Sequence, residues 1–234
     1  MDSIWVQKKA GERNARAEDY EALKQAIENE THFDISLEGV YKWIAFVPSK
    51  INDIVGVPNR YFAVFEDEIL KLRGIEARRH DTPIFFSNYQ QLVLNMIAEA
   101  DTIYEVKMTL PKIRYMFEKH LTFLKERKVP LNELAFTKRT SKAFDEYEDR
   151  NTIEKNALSN LRGEGKSLRA GQILKYIITD YYRKGSKIRS IPIELATSQT
   201  KYDIKRYCEI LEQVTNTVTE PFGLSIKNQS MISL

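Results

Sequence analysis

The residues able to do chemistry in this 234-residue chain are few and scattered. There is one cysteine, Cys208, inside a helical pattern, where it reads as a small core residue rather than a nucleophile. His32, His80 and His120 stand far apart, so with one cysteine they cannot form a Cys/His zinc module at ordinary spacing. What does cluster is positive charge beside small hydroxyls. Thr137, Lys138, Arg139, Ser141 and Lys142 make a polar-basic run suited to phosphate contacts. Arg73, Arg78 and Arg79 alternate with apolar residues, either as the solvated side of a strand or as contacts to backbone phosphates. Arg183, Lys184, Lys187 and Arg189 surround Gly185 and read as a surface turn.

Bulk properties bound the class. The formal charge is +3, mildly basic, which permits nucleic-acid binding without arguing for it. Hydrophobic residues at 42% and charged residues at 29% allow a sizeable core and exclude global disorder. A lone cysteine forms no intramolecular disulfide, which fits a reducing, cytoplasmic setting. No apolar run approaches the roughly 20 residues that span a bilayer, and the first residues lack the pattern of a signal peptide.

The elements that must position these residues follow from periodicity. Residues 3–9 and 37–48 read as strands, and Ala17–Asn29 as an amphipathic helix carrying Tyr20, Leu23 and Ile27. Runs 60–66 and 69–77, separated by Glu66-Asp67, predict a hairpin. After Asp81-Thr82-Pro83 the pattern turns helical, over 84–99, about 110–125, 152–162 and 201–219, with a strand at 173–178. The expectation is α+β: a small mixed or antiparallel sheet with a packed helix over residues 1–82, then a mostly helical piece over 83–234. The helix-face aromatics Phe85, Tyr89, Tyr115 and Phe117 are expected in the core.

Two stretches go beyond pattern. Val57-Pro58-Asn59-Arg60-Tyr61-Phe62 followed by Lys71-Leu72-Arg73-Gly74-Ile75-Glu76-Ala77-Arg78-Arg79-His80-Asp81 resembles the palm-to-thumb junction of archaeal-type family B DNA polymerases. Asp2-Ser3-Ile4-Trp5-Val6 resembles the second half of that family's Tyr-Gly-Asp-Thr-Asp-Ser motif, with Met1 at the Thr position. Leu134 to Arg139 with Glu146-Tyr147, the Ala170 to Ile178 run and Tyr202 to Gly223 resemble the thumb segments in order.

The resemblance implies a fold, an activity and a set of roles. Residues 1–82 would be the end of the palm and 83–234 the thumb, made as a separate small subunit of a split polymerase. Asp2 would be a catalytic carboxylate and a ligand in a two-Mg²⁺ site shared with a partner chain, because phosphoryl transfer there uses paired hard cations. Arg60 and Tyr61 would face the minor groove near the primer end, with Asn59 replacing a family Lys. Arg73, Arg78, Arg79, Thr137, Lys138, Arg139, Ser141 and Tyr147 would contact DNA. A large subunit would supply exonuclease, most of the palm and the fingers, and primer-template DNA and a deoxynucleoside triphosphate would join in the complex. The chain alone would be inactive, with residues 1–16 poorly ordered until docked. A non-catalytic duplex-binding accessory subunit is the alternative. Gln229 to Leu234 weakly resembles a sliding-clamp box without its paired aromatics.

Overall fold

The computed structural model describes residues 4–7, 17–142, 144–146, 152–183, 186 and 188–226. Its first helix, α1, spans Glu18–Thr31. Glu18, Asp19 and Glu21 place negative charge at its positive end, and His32, at φ 57°, stops it by donating its N–H to Glu28 O. None of its residues is buried, so the stripe of Tyr20, Leu23 and Ile27 only partly covers itself.

Next come β1 (Tyr41–Pro48), β2 (Gly56–Phe65) and β3 (Leu70–Arg73), an antiparallel sheet in the order β1-β2-β3. The expected hairpin is present, its turn closed by Phe65 N–H to Ile69 O. In the central strand Tyr61, Phe62, Ala63 and Val64 are all buried, because both faces of the sheet are covered. Trp43 and Phe62 pack edge-on with each other and with Phe222 on one face. Trp5 packs against Phe46 and Tyr61 on the other.

Two strand expectations shift. Residues 4–7 carry no strand, and residues 3, 8 and 9 lie outside the described residues. The run expected to extend to residue 77 stops at Arg73, because Gly74 takes φ +64° and a 3-10 turn follows over Glu76–Arg78. Gly74 is required by space as well as by φ: an added Cβ would sit 2.1 Å from Asn59 O.

The helical part packs α2 (Ile84–Ala98), α3 (Ile103–Lys125) and α5 (Ile204–Thr219) against one another. Thr102 caps α3 by accepting from Glu105 N–H, so α3 begins seven residues before the expected Leu110 and runs through Pro111. Proline there removes one helical hydrogen bond, the ordinary signal for a stop. Asp203 caps α5 the same way through Arg206 N–H.

A second antiparallel sheet, unexpected as a sheet, lies between these helices in sequence. It comprises β4 (Phe136–Arg139), β5 (Ile173–Ile178) and β6 (Ser190–Pro192), with α4 (Ile153–Gly163) against it. Four- and three-residue strands are too short to show a period. The core is continuous from Phe62 through Phe86, Tyr89 and Phe117 to Tyr207. Tyr207 is fully buried, and its hydroxyl donates to Leu134 O and accepts Ile178 N–H, tying α5 to the second sheet.

His120 sits between the rings of Phe85, Tyr89 and Phe123, with Nδ1 2.8 Å from Met116 O. Burial holds its pKa below the usual 6.5; the Met116 carbonyl opposes that, and nearby Lys119 adds to it. The folded chain therefore keeps it neutral where the unfolded chain takes up a proton. The stability tied to this group is full above pH 6.5 and is lost as pH falls toward the lower folded value. The expected result is a melting temperature that drops as pH falls below the ordinary histidine value of 6.5, with the drop flattened in His120→Phe. An identical pH profile in the variant would assign the slope to other groups.

Candidate nucleic-acid interface

The end of the first sheet is joined to the helices by one polar network. The Arg60 guanidinium lies 3.2 Å from Glu76 Oε1 through Nη2, and its Nε donates to Gly74 O. Glu76 Oε2 accepts from Gln90 Nε2 at 2.9 Å, and Oε1 accepts from the Thr217 hydroxyl at 3.3 Å. Gln90 is fully buried; its Nε2 also donates to Val214 O and its Oε1 accepts Ala77 N–H. The side-chain amide is thus satisfied on both ends, linking β2, the turn after β3, α2 and α5. Arg60, expected toward a groove, makes these junction contacts and is half-buried. Tyr61 is 3% exposed beneath Trp5 and Phe46, so a groove contact by Tyr61 requires Trp5 to move aside.

The cations gather beyond the junction. Arg79 holds Asp81 in a two-point ion pair, with Nε at 2.9 Å and Nη2 at 2.6 Å. That pairing keeps the Asp81 carboxyl below its ordinary pKa, with Lys138 contributing from the second sheet. Thr137 N–H points at Asp81 O at the long distance of 3.5 Å. Residues 78–81 and 137–138, far apart in sequence, therefore meet at the sheet edge. Arg78 is exposed beside them, and Arg73 lies exposed at the end of β3.

The second sheet extends the basic surface. Antiparallel register sets Thr137 opposite Lys175 and Arg139 opposite Ile173, so Thr137, Arg139 and Lys175 share one face. Lys138 points to the other face, toward Asp81. Arg139 Nη1 donates to Gly171 O at 3.0 Å. The buried Thr140 hydroxyl lies within reach of Arg169 O and Gln172 O, which pins the 169–172 loop to the end of β4. Ser141, Lys142 and Arg169 are exposed there. Lys175 and Arg169 were not picked out from the sequence. The signal for Lys175 was its single cationic position amid the apolar 173–178 run, which alternation places outward. Arg169 carried none, because a loop has no period.

Asp2, Tyr147 and the Gln229 to Leu234 segment lie outside the described residues, as do residues 1–3 and 8–16, for which disorder before docking was expected. Among the described residues no group of His, Cys, Asp and Glu could hold a metal ion. The described part of the chain thus holds no cluster that fits a two-metal site, and the expected ligand Asp2 is not in it. No described helix is long and apolar enough to cross a membrane.

Comparison with known proteins bears on this geometry. Residues 1–221 match the family model described as DNA polymerase family B. The chain is 26% identical over 216 residues to DNA polymerase 1 of Sulfolobus acidocaldarius, covering 91% of this chain and 23% of that protein. With DNA polymerase 1 of Saccharolobus solfataricus the identity is 25% over 194 residues, 83% of this chain and 20% of that one. The fold is similar to the family B DNA polymerase of the hyperthermophilic archaeon Pyrobaculum calidifontis, with a TM-score of 0.63 and 20% identity, over 91% of this chain and 26% of that one. The chain thus spans about a quarter or less of the length of these relatives.

Proposed function

The chain belongs to DNA polymerase family B, and from that premise we propose that it acts as a small subunit of a split polymerase. In this reading residues 1–82 complete the palm and residues 83–234 form the thumb that grips primer-template duplex. A larger partner contributes the exonuclease, the remaining palm and the fingers, and the assembly carries out template-directed DNA synthesis from deoxynucleoside triphosphates. Asp2 is proposed as the ligand this chain gives to Mg²⁺; the bound ions would neutralise charge developing on the transferring phosphate. The chain alone is expected to be inactive.

The observation that carries the duplex-gripping role is the gathering of exposed cations around the β4 edge of the second sheet, Arg139 and Lys175 on one face and Lys138 on the other beside Asp81. Its groups are long cationic side chains and small hydroxyls, which contact phosphates and carry no base code. The break between sheet and helices at Gly74 to Pro83 supports placing the domain boundary there. A second reading, a duplex-binding accessory without catalytic role, draws on the same exposed cations.

The test is binding of the chain to a primer-template duplex at several salt concentrations. Lys138→Ala/Arg139→Ala/Lys175→Ala is expected to weaken binding at least about tenfold. It should also flatten the slope of log affinity against log salt by about 0.9 per lost phosphate contact. An unchanged slope in this variant would place the duplex on another surface.

A further inference from the structure

Helix α3 has two apolar faces, and the fold uses one. The inner face buries Val106, Ile113, Phe117, Leu121 and Leu124. On the outer face Tyr104, Met108 and Tyr115 are 70%, 63% and 69% exposed, and Pro111 is exposed between them. The positions 104, 108, 111 and 115 are spaced four, three and four apart. That spacing aligns side chains in a single seam, about 16 Å long at 1.5 Å per residue. Single exposed apolar residues are ordinary, but a continuous seam at heptad spacing is the geometry of one helix prepared to receive another.

The edges of the seam are basic. In the heptad frame Lys107 and Arg114 flank it on one side, and Lys112 and Lys119 on the other. All four are exposed, and none forms an ion pair among the described residues. Of the acidic residues nearby, Asp101 pairs with Lys42, Glu105 is engaged with Asp101 N–H, and Glu118, exposed at the next seam position after Tyr115, ends the apolar stripe.

We propose that the outer face of α3 docks an acidic amphipathic helix of another protein, its apolar seam on Tyr104, Met108 and Tyr115 and its carboxylates against the four cations. The charge pattern selects this occupant. A second copy of this chain would bring cations against cations in either orientation. Single-stranded DNA would gain little from Met108 and Pro111, which offer no stacking plane between the two tyrosines. The site stands apart from the duplex-gripping surface, so its failure leaves that reading intact.

The test uses a fluorescein-labelled peptide of three heptads with Leu at the seam and Glu at the flanks. The same peptide with Lys at the flanks and an oligo-dT of similar length serve as controls. Anisotropy titration is expected to show the Glu peptide binding with an affinity that falls as salt rises, and the Lys peptide not binding. Met108→Glu should weaken the Glu peptide at least about tenfold. Lys112→Glu/Arg114→Glu, a purely surface change that takes the four flanking charges from +4 to 0, should remove the preference for the Glu peptide. The proposal is overturned if the Glu peptide does not bind, or if either variant binds it as the parent does. It is also overturned if Met108→Glu reduces oligo-dT binding and leaves the peptide unaffected.

Discussion

Asp2→Ala is expected to lower Mg²⁺-dependent primer extension by the assembled polymerase about a thousandfold while leaving duplex affinity unchanged. The size follows from chemistry. A divalent ion clamping the transferring phosphoryl group stabilises the transition state by several kcal/mol, and about 4 kcal/mol is a factor of a thousand in rate. A carboxylate that holds such an ion loses the effect when truncated to methyl, because Mg²⁺ demands hard oxygen ligands and tolerates few substitutes. Duplex binding, by contrast, is proposed to draw on the exposed cations of the second sheet, Lys138, Arg139 and Lys175. The experiment compares the large partner alone, with this chain, and with the Asp2→Ala chain. Equal stimulation by the two forms would make the chain a duplex-gripping accessory and remove Asp2 from the metal site. Loss of activity together with loss of assembly would indicate a docking role instead, so co-elution of the two chains is measured in parallel.

The second large effect is on stability. Gln90→Leu is expected to destabilise the fold by about 3 kcal/mol, read as a lower urea midpoint at unchanged slope. Gln90 is fully buried and its amide meets Ala77 N–H, Val214 O and Glu76 Oε2. Leucine is close in volume, so little cavity is made. The cost comes from leaving a backbone donor, a backbone acceptor and a carboxylate without their partner, at about 1–3 kcal/mol for each group that water cannot reach. Gln90→Glu should be at least as harmful, since it sets a second carboxylate against Glu76. A loss below about 1 kcal/mol would mean that water or a shifted neighbour takes over these bonds. Because the network joins the first sheet to α2 and α5, the variant should also blur the placement of the helices on the sheet. Reduced duplex affinity at temperatures where the chain is still folded would report that.

Gly74 belongs to the same junction. Its carbonyl receives Arg60 Nε, and its missing side chain lets Asn59 approach. The sheet ends there because only glycine fits, and the chain can then turn so that Glu76 reaches Arg60, Gln90 and Thr217. The Arg-Gly-Ile-Glu stretch is thus a structural joint, and the cations that follow it are carried outward by that joint.

The sequence by itself determined the elements that repeat at a clear period and the segments with a recognisable order. The helices α2, α4 and α5, the strand β5 and the β2–β3 hairpin were legible because side-chain alternation at 3.6 or 2 residues needs no partner to be seen. The family resemblance was legible in the 57–81 segment, where glycine, paired arginines and aspartate stand in a fixed order. Tertiary structure alone decided the rest. Four-residue β4 and three-residue β6 exist because β5 pairs with them, and an isolated segment that short has neither period nor stability. α3 continues through Pro111 because its inner face packs on α2 and α5 and offsets the missing hydrogen bond. Arg60 and Tyr61 looked alike in sequence as candidates for a groove. The fold sets one in a junction ion pair and the other beneath Trp5, a difference in surroundings that the sequence does not carry. Charge at a position is written in the sequence, but whether it faces a ligand or a carboxylate depends on what the chain brings beside it.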